Sequence, residues 1–177
     1  MKNNQQETIA TTFPIAAYQT KDLLWTIGFF IAAVIFPALF AHTPQNQWIT
    51  GTVVNALIFL AVWRIGAVNA VLIAFLPSSI ALIRGLLPAP MAVLIPYIIL
   101  SNIVLIAIFY ALKKYPLAGI ISASLAKFLF LFVISTYFIK ITGSLLVMTQ
   151  WPQLLTALAG GLIAVGIIKT TDASTQH

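Results

Sequence analysis

The sequence predicts an all-α integral membrane protein, folded as a single bundle of six transmembrane helices. Hydrophobic residues make up 61% of the 177 residues and charged residues only 7%, whereas about 25% charged residues is usual in soluble domains. Apolar stretches long enough to span a bilayer recur along the chain, separated by turn-forming or charged clusters. Six spans of roughly 20 residues use nearly the whole length, which leaves no room for a soluble catalytic or nucleotide-binding domain.

The predicted membrane domain covers residues 21–170, between a polar tail at 1–20 and a short tail at 171–177. The first tail lacks the basic-then-apolar order of a cleavable signal peptide. The predicted spans are 23–41, 49–63, 65–83, 91–112, 117–139 and 154–168. The sixth apolar stretch covers only about 22 Å of helix, so this helix either begins earlier, near Leu145, or lies where neighbours shield it. Pro152 suits the first turn of a helix that starts after Trp151.

The distribution of Lys and Arg predicts that both termini lie in the cytoplasm, because cytoplasmic loops are enriched in these residues. With six spans, this orientation places six basic residues inside the cell and two outside. The inner set is Lys2, Lys21, Arg64, Lys113, Lys114 and Lys169, and the outer set is Arg84 and Lys140. Membrane topology therefore explains the net charge of +6. The basic residues are scattered, so nucleic acid is not an expected partner.

Lys127 is the most informative single residue in the sequence. It lies about ten residues into the fifth span, near mid-bilayer, where a charged side chain costs about 2.5–3.5 kcal/mol. The three acids, Glu7, Asp22 and Asp172, lie at the termini or the membrane edge, so none can pair with Lys127 at that depth. Two interpretations have equal weight: an ammonium that caps helix carbonyls or reaches towards water, and a group that binds a ligand.

Polar residues of two other spans are candidates for a binding site. Asn102 lies about eleven residues into the antiparallel fourth span, at a similar depth to Lys127, so the two could meet across a helix pair. In the second span, four residues recur at helical spacing and share one face that could line a pocket nearer the outside: Trp48, Thr52, Asn55 and Phe59. For a lone Asn, ordinary interhelical hydrogen bonding is the favoured interpretation. The combination favours a binding site.

The connection between the third and fourth spans is rich in proline and carries Arg84. Irregular backbone is tolerated at membrane depth only when it is buried in protein or faces a cavity. This segment is therefore a candidate gate over a site, with Arg84 as its charged element. An interfacial anchor that contacts lipid phosphate is an equally weighted interpretation of Arg84.

Small residues four positions apart predict close approach of helices. The pairs are Gly28/Ala32, Gly119/Ala123, Ala157/Gly161 and Gly160/Ala164. Packing within the bundle is the favoured interpretation of such pairs, ahead of a surface that docks a partner.

The sequence lacks the motifs of catalysis and energy coupling. It contains no G-x-x-x-x-G-K-[ST] phosphate loop and no Asp or Glu within a predicted span. It has no Cys and only two His, so neither a thiolate nor a histidine metal centre is expected, and no cofactor. An enzyme is the least favoured class, and any energy source must come from another protein.

Several short motifs lie within, or just before, the second and fourth spans. They are Pro44-Gln45, Trp48-Ile49-Thr50-Gly51, Val54-Asn55-Ala56, Gly85-Leu86-Leu87-Pro88-Ala89-Pro90-Met91, Ile95-Pro96-Tyr97 and Ser101-Asn102. With six short spans and cytoplasmic termini, over roughly residues 20 to 170, they resemble the substrate-binding membrane subunits, or S-components, of energy-coupling factor transporters. The later motifs look like a subgroup of S-component-like bacterial membrane proteins whose substrate is not settled.

This resemblance implies a protein of the bacterial cytoplasmic membrane that binds a vitamin or micronutrient. It implies as partners one transmembrane coupling protein and two ATPases. It also implies that the loops at residues 42–48 and 84–90 cover the substrate on the external side. Gly28 and Ala32 are the nearest match to the family's Ala-x-x-x-Ala element that docks the coupling protein, with Gly in place of the first Ala.

The leading hypothesis is a substrate-capture subunit that binds a small anionic or amide-bearing molecule between the second, fourth and fifth spans. Lys127 would counter a negative group, Asn55 and Asn102 would hydrogen-bond the molecule, and Trp48 would stack on it or close over it. One alternative is a non-transporting structural or assembly subunit of a larger membrane complex. A small oligomeric channel would need a polar stripe repeated along one helix, and the sequence has only isolated polar residues.

Overall fold

The computed structural model of the protein describes residues 20–40, 46–83, 92–140 and 142–174. All regular elements in these ranges are helical. They are α1 (Thr20–Leu39), α2 (Asn46–Ile83), α3 (Ile95–Ala111), α4 (Pro116–Val133), a π-helical extension of α4 (Ile134–Phe138), α5 (Ser144–Thr149) and α6 (Trp151–Ser174). Five of these helices have 17 residues or more.

Four helical segments are long and apolar enough to cross a membrane: α1, α2, α4 with its extension, and α6 with the end of α5. The shorter α3 is apolar as well, and its 17 residues extend about 26 Å. The described chain is therefore that of a multi-pass, all-helical membrane protein, as the composition predicts.

The helix α2 is too long to be one straight span. Its 38 residues would extend about 57 Å, nearly twice the hydrocarbon thickness of a bilayer. Gly66 breaks it with a φ of 84° and a ψ of 171°, a backbone conformation that is essentially restricted to glycine. The break divides α2 into a first arm, residues 46–65, and a second arm, residues 67–83. The sequence predicts a boundary between spans at Arg64, two residues before the observed break.

A lysine from the turn between α3 and α4 is bound to the backbone near this break. Carbonyls in the last turn of a helix lack intrahelical partners, and Lys113 Nζ donates a hydrogen bond of 2.9 Å to Trp63 O. The same ammonium lies 5.2 Å from the centre of the Trp63 ring. Burial lowers the pKa of Lys113 from its ordinary value. The turn after α3 therefore lies against the end of the first arm of α2.

Charged and aromatic residues of three helices meet at this end of the bundle. Arg64 forms an ion pair with Asp172, with Nη2 and Oδ1 3.0 Å apart. Its guanidinium carbon lies 5.9 Å from the centre of the Trp25 ring. The start of α1, the end of the first arm of α2 and the end of α6 are thus neighbours.

The start of α2 lies beside the short helix α5, and the start of α6 lies beside the second half of α4. Gln47 Nε2 donates a hydrogen bond of 2.7 Å to Met148 O. The rings of Phe128 and Trp151 are 5.3 Å apart between their centres. The contacts of Arg64 and Lys113 therefore mark one end of the bundle, and those of Gln47 and Trp151 mark the other. Three segments extend between these two ends: residues 46–65, α4 and α6.

The sixth predicted span is longer in the structure than its apolar stretch. The helix α6 has 24 residues, about 36 Å, and Pro152 stands in its first turn as predicted. The residues near Leu145, where the sequence allows this helix to begin, belong instead to α5. The backbone at Gln150, with a φ of −107° and a ψ of −103°, separates the two helices.

The helices α2 and α6 approach each other closely because α6 presents glycine at their contact. A Cβ added at Gly160 would lie 2.6 Å from Thr52 O and 2.7 Å from Ala56 N. A Cβ at Gly161 would lie 2.5 Å from Cγ2 of Ile120, on α4. The prediction that the small-residue pairs of α6 pack within the bundle is confirmed.

We expect Gly160→Ala to lower the stability of the protein by about 1–3 kcal/mol, because the new methyl group meets backbone atoms that cannot rotate away. The measurement is the thermal unfolding midpoint in detergent. Gly166→Ala is the matched control on the same helix, since a Cβ at Gly166 meets nothing within 4 Å. Equal midpoints for the two variants would contradict the close contact of α2 with α6.

Candidate functional site

Three polar side chains from three helices meet inside the bundle. Lys127 Nζ, on α4, donates one hydrogen bond of 2.8 Å to Asn55 Oδ1 on α2 and another of 2.8 Å to Asn102 Oδ1 on α3. The exposed fractions of Lys127, Asn55 and Asn102 are 3%, 1% and 2%. The prediction that Asn102 meets Lys127 across a helix pair is confirmed, and Asn55 joins them. We call these three residues the Lys127 cluster.

The Lys127 cluster lies near the middle of the helices that form it. Lys127 is about 16 Å along the axis from the start of α4 at Pro116, and Asn55 is about 13 Å from the start of α2 at Asn46. A hydrocarbon core is about 30 Å thick. The cluster is therefore at membrane depth, where few solvent molecules can hydrate an ammonium.

The side chain of Asn55 is oriented by two acceptors on its nitrogen. Asn55 Nδ2 donates to Gly51 O at 2.8 Å and to Thr156 Oγ1 at 3.4 Å. The Thr156 hydroxyl itself donates to Pro152 O at 2.7 Å, which leaves its oxygen free to accept. With the amide nitrogen held in this way, Oδ1 of Asn55 points at Lys127.

Glycine residues allow Thr156 to reach Asn55. A Cβ at Gly51 would lie 3.1 Å from Thr156 Oγ1, so the absence of a side chain lets α6 approach the backbone of α2 one turn before Asn55. The sequence did not single out Thr156. The signal that could have found it is its place four residues before Gly160, on the small-residue face of α6.

The Lys127 cluster carries one ammonium and no carboxylate. Among the described residues the acids are Asp22, in the first turn of α1, and Asp172, which pairs with Arg64. The partners of Lys127 are two neutral amide oxygens, which satisfy two of its three N–H groups without neutralising its charge. The two hydrogen bonds make the cluster a polar link between α2, α3 and α4.

The other predicted site residues lie away from the cluster or outside the described residues. Trp48 is in the first turn of α2, about 10 Å along the axis from Asn55, with 44% of its surface exposed. Arg84 lies outside the described residues, as do residues 42–45 and the whole of residues 84–90 in the two predicted covering loops.

The predicted docking residues lie on α1, which is the least buried of the long helices. A Cβ at Gly28 would meet nothing within 4 Å, and Ala32 is half-buried. Among its described side chains the helix contributes Phe29 and Ala33 to the core, while most of its other large apolar side chains are exposed. The face around Gly28 is open.

The described residues contain no group of three or more His, Cys, Asp or Glu side chains that could hold a metal ion. No family model, curated protein or solved structure matches the chain. The chemistry of the Lys127 cluster is therefore the main structural guide to function.

We expect Asn102→Leu to destabilise the protein by about 1–3 kcal/mol, because the buried Lys127 ammonium loses one of its two acceptors. In a Lys127→Met background the same substitution is expected to cost much less, since no ammonium remains to be satisfied. Thermal unfolding of the four proteins of this double-mutant cycle measures the coupling. Equal costs in both backgrounds would mean that the two side chains are not coupled.

Proposed function

We propose that the protein is the substrate-capture subunit of an importer of the energy-coupling factor type, and that it binds a small micronutrient-like molecule from the external side. The observation that carries the proposal is the buried Lys127 ammonium, held at membrane depth by neutral amides alone. Ionisable residues inside membranes are costly and commonly mark substrate or ion pathways. The motifs that resemble S-components support the same function.

The proposed binding site combines the Lys127 cluster with residues nearer the external surface. Lys127 provides the charge that an anionic group would pair with, and the two asparagines hold the ammonium in place. Trp48, at the external end of α2, and Arg84 would contact or enclose the molecule as it enters. An amide-bearing ligand could in addition exchange hydrogen bonds with Asn102.

The proposal includes six spans with both termini in the cytoplasm of a bacterial cell, in its cytoplasmic membrane. The break at Gly66 supports it, since it divides α2 into two segments of about 30 Å and 26 Å, close to the 30 Å of a bilayer core. The Arg64–Asp172 ion pair supports it too, because the ends of the second and sixth spans then lie on the same side. The positive-inside distribution of Lys and Arg supports the cytoplasm as that side.

Cysteine labelling tests this topology directly, because the natural chain contains no cysteine and single cysteines need no altered background. The positions chosen for single cysteines are Lys114, Lys140 and Lys169, whose side chains are all exposed. We expect Lys140→Cys to react with a membrane-impermeant maleimide on intact cells, and Lys114→Cys and Lys169→Cys to react only after permeabilisation. Labelling of Lys140→Cys and Lys169→Cys from the same side would contradict six spans with cytoplasmic termini.

The proposed energy source is a separate module of one transmembrane coupling protein and two ATPases. The open face of α1 around Gly28 and Ala32 is the proposed docking surface for the coupling protein. Its support is the small side chains at four-residue spacing, which allow close helix approach, together with the empty space beside Gly28.

A structural or assembly subunit of a larger membrane complex is the second candidate. The observation that favours it is that the two hydrogen bonds of Lys127 seen among the described residues link α4 to α2 and to α3. In this function the Lys127 cluster would hold three helices in register and would bind no small molecule.

Native mass spectrometry of the detergent-purified protein separates the two candidates. For a capture subunit we expect a bound small molecule on the wild-type protein and at least a tenfold lower occupancy on Lys127→Gln, because the variant retains a polar side chain but has no charge. Asn69→Ala is the control, since the Asn69 amide bonds only the local Ile65 carbonyl. An empty wild-type protein that associates stably with an unrelated membrane complex would favour the structural function.

A further inference from the structure

We infer that the molecule bound at the Lys127 cluster presents a single carboxylate, which accepts hydrogen bonds from Lys127 Nζ and from the hydroxyl of Ser124 on the same helix. This inference rests on the proposed capture function and specifies the chemical class of the ligand. Its physical basis is two hydrogen-bond donors and one uncompensated charge on one buried face of α4.

The first donor is the remaining N–H group of Lys127. An ammonium has three N–H groups, and two of them are directed at Asn55 and Asn102. Within the described part of the chain, these are the hydrogen bonds that Lys127 makes. In the protonated side chain, one N–H group therefore has no acceptor among the described residues and is available to a ligand.

The second donor is the hydroxyl of Ser124. Ser124 has an exposed fraction of 0%, and its Oγ has no hydrogen-bond partner among the described residues. Buried hydroxyls elsewhere in this protein bond a carbonyl of the preceding turn: Ser101 to Ile98, Ser135 to Phe132 and Thr149 to Leu146. Leaving such a group unsatisfied lowers stability, so a hydrogen-bond partner for Ser124 would be favourable.

These two donors lie on the same face of α4. Ser124 precedes Lys127 by three residues, which is close to one helical turn, and both belong to the buried face that includes Ile120 and Leu131. A long helical side chain extends towards the N-terminus, over the residues three and four positions earlier. The Lys127 side chain therefore extends over the turn that holds Ser124. Among the described residues, Thr136 carries the other buried hydroxyl without a partner. It is nine residues beyond Lys127, about 13 Å away along the helix axis.

The charge of the site favours a carboxylate over other acceptor groups. A neutral carbonyl or amide would leave the ammonium charge without a counterion, and buried charges are favourable only when paired and hydrogen-bonded. A phosphate dianion would bring one negative charge too many for the single buried cation. A carboxylate supplies one negative charge and two acceptor oxygens, which matches one ammonium and one additional hydroxyl donor.

The test compares matched probes that differ only in their polar group. Wild-type protein in detergent is titrated with octanoate, octanamide and octyl phosphate, and with benzoate, benzamide and phenyl phosphate, while thermal unfolding is followed. Native mass spectrometry identifies any molecule that co-purifies. We expect a carboxylate in the co-purifying molecule, or stabilisation by a carboxylate probe that its amide and phosphate counterparts do not give.

The role of Ser124 is tested with Ser124→Ala. We expect this variant to bind the carboxylate at least tenfold more weakly, and Ser124→Thr, which retains a hydroxyl, to recover most of the affinity. Ser124→Ala removes a hydroxyl that has no partner in the ligand-free protein, so its unfolding midpoint without ligand should be at least that of the wild type. Ser101→Ala is the matched control, a buried serine whose hydroxyl is satisfied by Ile98 O.

The outcomes distinguish this inference from the proposed function. A co-purifying molecule without a carboxylate would overturn the inference and leave the capture function standing. Carboxylate binding that Ser124→Ala does not weaken would overturn the assignment of Ser124. No co-purifying molecule, and no stabilisation by any probe, would overturn both the capture function and the inference.

Discussion

The buried Lys127 ammonium is the constraint on which the arrangement of the inner helices depends. Its charge is unfavourable at membrane depth, so the structure must bring acceptors to it. The acceptors are the amide oxygens of Asn55 and Asn102, each 2.8 Å away. Because they belong to different helices, satisfying one ammonium sets the relative depth of α2, α3 and α4. Thr156 extends the same network to α6 through the nitrogen of Asn55.

Glycine makes this network possible at two kinds of position. Gly51 and Gly160 remove side chains where α2 and α6 meet, so that backbone atoms come within contact distance and Thr156 reaches Asn55. Gly66 has a different function, since its backbone conformation breaks α2. Without that break, the segment that carries Asn55 would continue as a helix much longer than a bilayer is thick. The close packing of α2 with α6 and the break in α2 thus both depend on the absence of a Cβ.

The neutrality of the partners of Lys127 is what links the fold to the proposed function. An internal carboxylate would neutralise the ammonium and complete its hydrogen bonding, which is how most buried charges are stabilised. Two amides complete most of the hydrogen bonding but leave the charge available to a ligand. Two further features agree with the proposed function: the face of α1 around Gly28 is open, and Trp48 is exposed in the first turn of α2. The same amides would also serve a purely structural network, which is why the chemistry of the ligand is the decisive property.

The sequence by itself determined the membrane location, the helical fold and the unpaired cation at membrane depth, because composition, hydropathy and charge position are properties of local sequence. It also predicted the contact of Asn102 with Lys127, since depth along antiparallel neighbours can be counted in residues. Only the tertiary structure decided that Asn55 and Thr156 join them, that Ser124 is buried with no hydrogen-bond partner among the described residues, and that Trp48 stays exposed. Those outcomes depend on how each helix is rotated and how closely its neighbours approach. Rotation and approach are set by packing at residues distant in sequence, such as Gly160 against α2.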